Sequence, residues 1–297
     1  MSVEVFEEQR PRLTAIAYGI LGSVMEAEDV VQDAWLRWEG ADWNRVEEPA
    51  AYLTTIVTRL SIDRLRSARV RREAYVGPWL PEPIVTELED DPADVVVEAE
   101  AISMALLTAL ERLNPVERAV LLLREVFDYD YAEIGPMVGR LPAACRQIAA
   151  RARARVGEVH RTQPVEPEKQ RDLVEGFMAA VTAGDVASLA SRLATDAVLW
   201  SDGGGLRRAA RHPIHGAFNV ARFLANVLRR GAAQGGTGRL VKANRDLAVL
   251  LELGGETYGV MVFEIADDVV TAIRSVINPE KLRHLDAGNA RRGTGSS

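Results

Sequence analysis

The segment with the most distinctive chemistry runs from Asp128 to Arg155 and holds two short helical patterns separated by a turn at Gly139. The second pattern opens with Pro142, which suits the first position of a helix because that position needs no N–H donor. This layout predicts a helix-turn-helix, in which the second helix enters the DNA major groove. Arginine and glutamine make two-point contacts with guanine and adenine edges, so we predict base reading and phosphate binding by Arg146, Gln147, Arg151, Arg153 and Arg155.

Base reading is assigned to Arg146 and Gln147, and phosphate binding to the three later arginines. An ordinary helical hairpin with a solvated arginine face is the alternative interpretation of this stretch. The single cysteine, Cys145, falls on the side of the second helix that faces the core. We therefore expect it to be a small buried residue and not a nucleophile.

A second candidate is the helical pattern from Ala50 to Arg72, whose first half is apolar and whose second half is rich in arginine. Such a helix can pack by one end and lie along a phosphate backbone by the other. A tryptophan in the loop before this helix can stack on an unpaired base. The predicted DNA contacts in this part of the chain are Trp43, Arg59, Arg64, Arg66 and Arg69.

The stretch from Glu26 to Trp38 predicts an amphipathic helix, with apolar residues on one face and Asp29, Gln32 and Asp33 together on the other. A compact acidic face beside a packed one suits a basic protein partner. A plain solvated helix face is the alternative.

Charge is distributed very unevenly along the chain. The net charge of −7 over 297 residues by itself argues against a nucleic-acid partner. However, Arg59–Glu73 and Arg140–Arg161 each contain six arginines, whereas Glu87–Glu100 contains seven acidic residues and no basic one. The two basic stripes are thus separate from the negative charge, and they remain candidates for DNA binding.

The composition, 47% hydrophobic and 27% charged, is typical of a globular protein, and no apolar run approaches the roughly 20 residues that a membrane-spanning helix needs. Met1–Arg12 does not resemble a signal peptide, so we expect a cytoplasmic protein without membrane contact. One cysteine excludes an internal disulfide and a multi-cysteine zinc site. We predict neither a metal site nor a cofactor.

Helical periodicity and clusters of glycine and proline divide the chain into segments. We predict a multidomain protein in which two all-α domains are followed by an α+β domain with an antiparallel sheet. The tail is rich in glycine, arginine and serine and is predicted to be disordered. The predicted boundaries are a helical domain at 1–73, a linker at 74–98, a helix-turn-helix domain at 99–163, the α+β domain at 168–285 and the tail at 286–297.

Two long motifs resemble a known family. DVVQDAWLRW (Asp29–Trp38) and AAYLTTIVTRLSIDRLRSARVRRE (Ala50–Glu73) resemble region 2 of extracytoplasmic-function (ECF) sigma factors of RNA polymerase. ERLNPVERAVLLLREVFDYDYAEIGPMVG, followed by ACRQIAARARAR, resembles their region 4. The resemblance covers residues 1 to about 160. It departs from the family at Leu141 and Pro142, where a Ser or Thr cap and an acidic residue are common.

This resemblance implies that the chain binds core polymerase and promoter DNA. Asp29, Gln32 and Asp33 would contact the coiled coil of the largest polymerase subunit. The helix from Ala50 and the loop before it would read and melt the minus-ten element, and the helix from Pro142 would read the minus-thirty-five element.

The remainder is similar to an ECF subgroup with a fused SnoaL-like domain, a cone-shaped α+β fold. The similarity rests on WLPEP in the linker, DGGG in the extension and NPEKL near the end, with departures at Leu206 and Glu280 where the family has lysine and commonly aspartate. Such extensions act as built-in regulators. The implied regulatory residues are Trp79, Leu80, Pro81, Glu82, Pro83, Asp202, Gly203, Gly204, Gly205, Asn278 and Pro279.

Three hypotheses follow from the residues and the resemblance. The first is a sigma factor whose C-terminal domain contacts the linker and modulates activity, with a small-molecule ligand of that domain as an open possibility. The second is a regulator that binds DNA without polymerase. The third is an enzyme that uses an acid/base set in the cone, drawn from Trp200, Asp202, His212 and His215.

Overall fold

The computed structural model describes residues 2–42, 46–88, 102–157 and 166–286. The chain forms two compact units. The first comprises Met1–Ala74 and Asp91–Val159, and the second comprises Tyr75–Asp90 and His160–Ser297. The beginning of the linker therefore belongs to the second unit, which is otherwise C-terminal.

The described part of the first unit is helical. Two groups of its helices pack together, α1 to α3 and α5 to α7, with further contacts between α1 or α3 and the later helices. Their bounds are α1 Ser2–Leu21, α2 Val24–Glu39, α3 Pro49–Glu73, α4 Met104–Leu110, α5 Pro115–Glu125, α6 Tyr131–Val138 and α7 Pro142–Val156.

Side-chain caps determine where several of these helices begin. Asn114 and Asp130 each start a capping box, in which the cap side chain accepts from the N3 amide and the N3 glutamate accepts from the cap amide. Ser23 and Ser103 cap α2 and α4 in the simpler way, with one accepted hydrogen bond. Each cap satisfies backbone donors that the helix itself leaves unpaired.

Close packing joins the two helix groups of the first unit at Gly19. A Cβ atom at this position would lie 2.5 Å from Leu122 Cδ2 and 3.0 Å from Ile102 Cδ1. A glycine is therefore required for α1 to approach α5 this closely. The buried residues around this contact include Ile16, Ile20 and Leu123.

A buried ion cluster adds to this packing. The Glu111 carboxylate accepts hydrogen bonds from Arg72 and from Arg118, and Arg118 Nε also donates to the Gly19 carbonyl at 3.1 Å. Burial by itself would raise the pKa of Glu111, but the two guanidinium groups outweigh it and hold that pKa below its usual value. Desolvation lowers the pKa of Arg72.

The second unit has helices on a mixed sheet. The helices are α8 Pro167–Ala183, α9 Val186–Ser191 and α10 Ala217–Ala233, and Pro279–Leu282 forms a 3₁₀ turn. Its core joins Phe177, Leu224 and Phe263 across the two layers. The strands are β1 Val85–Thr86, β2 Leu193–Asp202, β3 Ile214–His215, β4 Thr237–Ala243, β5 Asp246–Leu253, β6 Glu256–Ala266 and β7 Val269–Val276.

The strand order is β1-β4-β5-β6-β7-β2-β3. The predicted fold class, all-α parts followed by an α+β domain, is confirmed. The sheet is antiparallel as predicted except at one place, because β2 and β7 run parallel with Trp200 opposite Arg274. Alternation of apolar residues identifies a strand but carries no information on its direction, so this pair could not be predicted.

Within the described residues, no helix is long and apolar enough to cross a membrane.

Candidate functional site

Helices α6 and α7 form the predicted helix-turn-helix. Gly139 ends α6 in the left-handed conformation, with φ 66°, and a Cβ at Gly135 would lie 2.7 Å from the Arg140 carbonyl oxygen. Both glycines therefore allow a tight turn. On α7, Cys145, Ala149 and Ala152 are buried. The predicted DNA-contact residues of α7 are all exposed, namely Arg146, Gln147, Arg151, Arg153 and Arg155.

Two of these arginines already have acidic partners. Arg153 donates to Glu125 Oε1 from Nε at 2.8 Å and from Nη2 at 2.6 Å, and this hydrogen bonding raises its pKa. Arg155 Nη1 lies 2.6 Å from Glu117 Oε2. The guanidinium of Arg146 lies 5.7 Å from the centre of the Tyr131 ring. These contacts orient the arginine heads, and phosphate would compete with the two glutamates.

The predicted polymerase-contact residues lie on the exposed side of α2. Asp29, Gln32 and Asp33 are exposed, while the opposite side of the helix, including Val30 and Trp38, is buried. Arg64 of α3 donates to Asp29 Oδ2 at 2.5 Å. This hydrogen bond joins Asp29, a predicted polymerase contact, to Arg64, a predicted DNA contact.

The remaining predicted DNA contacts on α3 are partly engaged. Arg59 donates to the Pro136 carbonyl at 2.7 Å and to the Met137 carbonyl at 3.3 Å. Arg66 pairs with Asp63 at 2.8 Å across exposed side chains. Trp43 and the side chain of Arg69 lie outside the described residues. Beside Arg59 lies a groove of about 470 Å³ lined by Leu36, Arg37, Gly40, Tyr52, Thr55, Ile56 and Arg59.

In the second unit the three short motifs meet at the Asp202 carboxylate, which is fully buried at the end of β2. Asp202 Oδ2 accepts the backbone N–H of Leu80 at 2.8 Å and the ammonium of Lys281 at 2.7 Å. Asp202 Oδ1 accepts the Tyr75 hydroxyl at 2.5 Å and the Gly204 amide at 3.1 Å. One carboxylate thus joins the linker, the DGGG turn and the NPEKL turn.

The linker motif itself is largely buried. Leu80, Pro81, Glu82 and Pro83 are buried, and Trp79 is partly exposed. The next residues form β1, an edge strand that pairs antiparallel with β4, and just before it Ile84 and Asn244 exchange hydrogen bonds at 3.2 and 2.7 Å. The linker is therefore held by strand addition as well as by Asp202.

The DGGG turn needs its glycines for two reasons. Gly204 and Gly205 have φ of 61° and 76°, which disfavours side chains. A Cβ at Gly203 would lie 2.4 Å from the Arg207 carbonyl oxygen, and one at Gly204 would lie 2.3 Å from Asn278 Nδ2. Pro279 follows Asn278 as the first residue of the 3₁₀ turn. The adjacent Leu206 is exposed.

Sequence analysis missed several members of this cluster. The Lys281 ammonium lies 3.8 Å from the Trp79 ring centre and donates to the Leu80 carbonyl. The Tyr75 hydroxyl accepts from Asn278 at 2.8 Å, and burial together with the hydrogen bond to Asp202 raises the pKa of Tyr75. His284 Nε2 lies 2.9 Å from the Pro83 carbonyl oxygen. Lys281 belongs to the quoted NPEKL motif, so its sequence signal was present.

The residues considered as the acid/base set of an enzyme lie in different surroundings. Both oxygens of Asp202 are engaged as described, and His212 and His215 are exposed. The guanidinium of Arg274 lies over the Trp200 ring, 5.1 Å from the centre of the ring. A search of the described residues finds no cluster of three or more His, Cys, Asp or Glu side chains that could hold a metal ion.

Comparison with known proteins identifies the class. Residues 5–71 match the Sigma-70 region 2 family and residues 103–156 match the Sigma-70 region 4 family. The chain is thus built as a sigma factor, with the helix-turn-helix inside region 4.

The relatives specify the group. The chain is 37% identical over 291 residues to the ECF RNA polymerase sigma factor SigJ of Mycobacterium tuberculosis, covering 95% of this chain and 93% of that protein. It is 34% identical over 182 residues to the probable ECF sigma factor SigI of the same species, covering 61% and 62%. The crystal structure of M. tuberculosis SigJ superimposes with a TM-score of 0.77 at 33% identity, covering 95% and 98%. The chain belongs to the ECF RNA polymerase sigma factors.

Proposed function

We propose that this sigma factor binds core polymerase through the acidic face of α2, reads the minus-thirty-five element with α7 and reads the minus-ten element with α3 and the loop before it. The main support for this proposal is that α7 has one buried side and one exposed side. Its buried side is made of small residues, and its exposed side presents Arg146, Gln147 and Arg151 directly after a tight turn. A recognition helix in the major groove needs this division.

The α2 face supports the polymerase part of the proposal. Asp29, Gln32 and Asp33 project from a helix whose other side is anchored in the core, so they form a preorganised acidic surface. Such a surface favours a basic partner by electrostatic complementarity.

Contacts made by two arginines of α3 bear on the proposal that this helix reads the minus-ten element. Arg59 is bound to two carbonyl groups of α6, and Arg64 is bound to Asp29. For either arginine to bind a phosphate, these bonds must be exchanged for contacts with DNA. We infer that the described arrangement is that of the protein before it engages a promoter.

We further propose that the C-terminal unit modulates activity by holding the linker. Residues 75 to 86 are tied to this unit by the Asp202 cluster and by β1. Twelve residues of extended chain span at most about 40 Å. While residues 75 to 86 are bound to the C-terminal unit, this length is not available to the connection between regions 2 and 4. Release of the linker would let the two DNA-reading surfaces separate further.

This engagement of Asp202 also favours a non-enzymatic regulator over the third hypothesis. A general acid or base must reach a substrate proton. Here both oxygens of Asp202 are already committed to buried donors within the protein. Turnover that disappears in His215→Ala would restore the enzyme hypothesis.

The test of the proposed function is binding of the full chain to core RNA polymerase. Asp33→Ala is the primary variant, because Asp29→Ala also releases Arg64 and so alters a predicted DNA contact. We expect Asp33→Ala to weaken the complex by about tenfold or more, and Asp29→Ala to do so as well.

Glu8→Ala is the matched control, since Glu8 is an exposed acid on a different helix, α1. Arg64→Gln removes the partner of Asp29 while leaving the acidic face intact. Absence of a complex with the wild-type chain would reject the sigma assignment. Tight DNA binding without polymerase, unaffected by Asp33→Ala, would favour the second hypothesis.

A further inference from the structure

The residue that immediately precedes α7 is an exposed leucine. Leu141 is the N-cap of α7, with φ −72° and ψ 149°, and its side chain is 76% exposed. It makes no side-chain capping bond. The preceding helix α6, by contrast, begins with the full capping box of Asp130 and Glu133. Leucine is among the poorest N-cap residues, so local helix stability does not account for its presence here.

The backbone that carries Leu141 is held firmly. Arg140 N–H donates to the Gly135 carbonyl at 2.9 Å, and a Cβ at Gly135 would lie 2.7 Å from the Arg140 carbonyl oxygen. On the other side of Leu141, Pro142 fixes φ at the first helical position. The leucine side chain therefore projects from a preorganised position, which lowers the entropic cost of a contact made there.

The chemistry of α7 changes along its exposed side. The first turn offers apolar surface from Leu141, Pro142 and Ala143, and the next turn offers Arg146 and Gln147. Base edges in the major groove offer hydrogen-bonding groups and one apolar group, the C5-methyl of thymine. The N-terminal residues of a recognition helix are the ones that contact base edges.

We propose that Leu141 is a specificity-determining residue that packs against the methyl group of a thymine in the upstream promoter element. This inference rests on the proposed function, in which α7 enters the major groove. Arg146 follows Leu141 by five residues, about 7.5 Å along the helix axis and about 140° around it, and this rise corresponds to about two base-pair steps. The thymine should accordingly lie within a few base pairs of the base that Arg146 reads.

A lone exposed leucine is also common on protein surfaces, so the test must detect the methyl group itself. Duplexes are selected from a library randomised in the upstream element, using the full chain with core polymerase. Each thymine of the selected sequence is then replaced singly by deoxyuridine, which lacks only the C5-methyl. We expect wild-type affinity to fall about three- to fivefold at one position, as the loss of one buried methyl group implies.

Leu141→Ser is the decisive variant because serine is a good N-cap residue and should preserve or raise the melting temperature of the first unit. It should bind the thymine and deoxyuridine duplexes equally, while keeping the base preference at the position read by Arg146. Leu141→Met should retain the discrimination, since its side chain remains apolar and of similar size. Gln147→Ala is the matched control on the same helix and should lose selectivity at a different base pair.

Two results would overturn the inference while leaving the proposed function intact. One is that no single deoxyuridine weakens wild-type binding, and the other is that Leu141→Ser discriminates as well as wild type. If the wild-type chain with core polymerase selects no sequence, the proposed function fails and the inference fails with it.

Discussion

Two sets of charged side chains, one in each unit, serve opposite purposes. In the second unit, Asp202 and Lys281 lie buried between the linker and two turns, with their hydrogen bonds made inside the protein. In the first unit, Arg146, Arg151 and Arg153 lie on the exposed side of α7. Charges in a low-dielectric interior interact strongly and escape salt screening, whereas exposed charges interact weakly with each other and stay available to a partner.

This difference fits the proposed function, which needs a firmly held linker and a surface that is available to DNA. The buried cluster should hold the linker over a wide range of ionic strength. The α7 surface should respond steeply to salt, because binding to phosphate releases counterions. Four predictions test this contrast between the units.

The largest effect is expected for Asp202→Ala. It leaves the Lys281 ammonium and the Leu80 amide buried without their carboxylate, and removing one partner of a buried pair typically costs about 3–5 kcal/mol. Denaturant unfolding of the full chain, followed by tryptophan fluorescence, should show this loss together with earlier proteolysis of residues 75–86. Glu280→Ala, an exposed acid in the 3₁₀ turn, should change stability by less than about 0.5 kcal/mol. Equal effects of the two variants would contradict a structural role for the buried cluster.

A smaller loss is expected for Gly204→Ala, at about 2–3 kcal/mol. The new Cβ would lie 2.3 Å from Asn278 Nδ2, and the residue has φ 61°. Gly254→Ala is a close control because Gly254 has φ 64° but no atom within 4 Å of the added Cβ. The control should show only the backbone cost, about 1 kcal/mol. Thermal unfolding of both variants measures the difference, and a control as damaging as Gly204→Ala would mean that the Asn278 contact is unimportant.

Removal of the Tyr75 hydroxyl should have an intermediate effect. Tyr75→Phe deletes the donor to Asp202, a hydrogen bond to a charged group worth about 1.5 kcal/mol. Because the folded-state pKa of Tyr75 is raised, its contribution is fully present below the unfolded pKa of about 10 and is lost as the pH rises further.

The stability gap between wild type and Tyr75→Phe should therefore be constant from pH 7 to about pH 9.5 and then narrow as the pH rises toward the folded pKa. In an absorbance titration near 295 nm, folded wild type and folded Tyr75→Phe should give the same change around pH 10, whereas the two unfolded chains should differ by one tyrosine. A normal Tyr75 titration in the folded protein would contradict the buried hydrogen bond.

The smallest effect is expected for Arg151→Ala, an exposed residue of α7. If it contacts one phosphate, promoter affinity should fall about fivefold at moderate salt for all sequences alike. The slope of log affinity against log salt should decrease in magnitude by about 1. The thermal stability should be unchanged. A loss confined to one base pair would instead indicate that Arg151 reads a base, and an unchanged slope would remove it from the DNA interface.

Local patterns were sufficient to predict much of the first unit. The apolar stripe of α2 predicted its buried side, and Gly139 with Pro142 predicted the turn and the start of α7. These features depend on residues a few positions apart, and the physical preferences involved are local.

Prediction was less complete in the second unit. Strands β1, β3 and β4 have little sequence signal, since the first two have only two residues each and β4 contains Gly238 and two basic residues. The contacts of Asp202 with Tyr75 and Lys281 join residues more than 75 positions apart. Such contacts depend on the sheet and leave no periodic signal in the chain.

The sequence by itself determined the order of the domains, the family and the residues of the helix-turn-helix, because helix periodicity, turn glycines and motif spacing depend only on residues that are close together in the chain. The contact between the linker and the C-terminal domain was one hypothesis from the sequence, but only the tertiary structure decided that residues 75–90 belong to the C-terminal unit, that Asp202 holds them and that β2 lies parallel to β7. A buried carboxylate and an exposed one have the same letter in a sequence. What distinguishes them is the set of donors and the dielectric environment that folding brings around each.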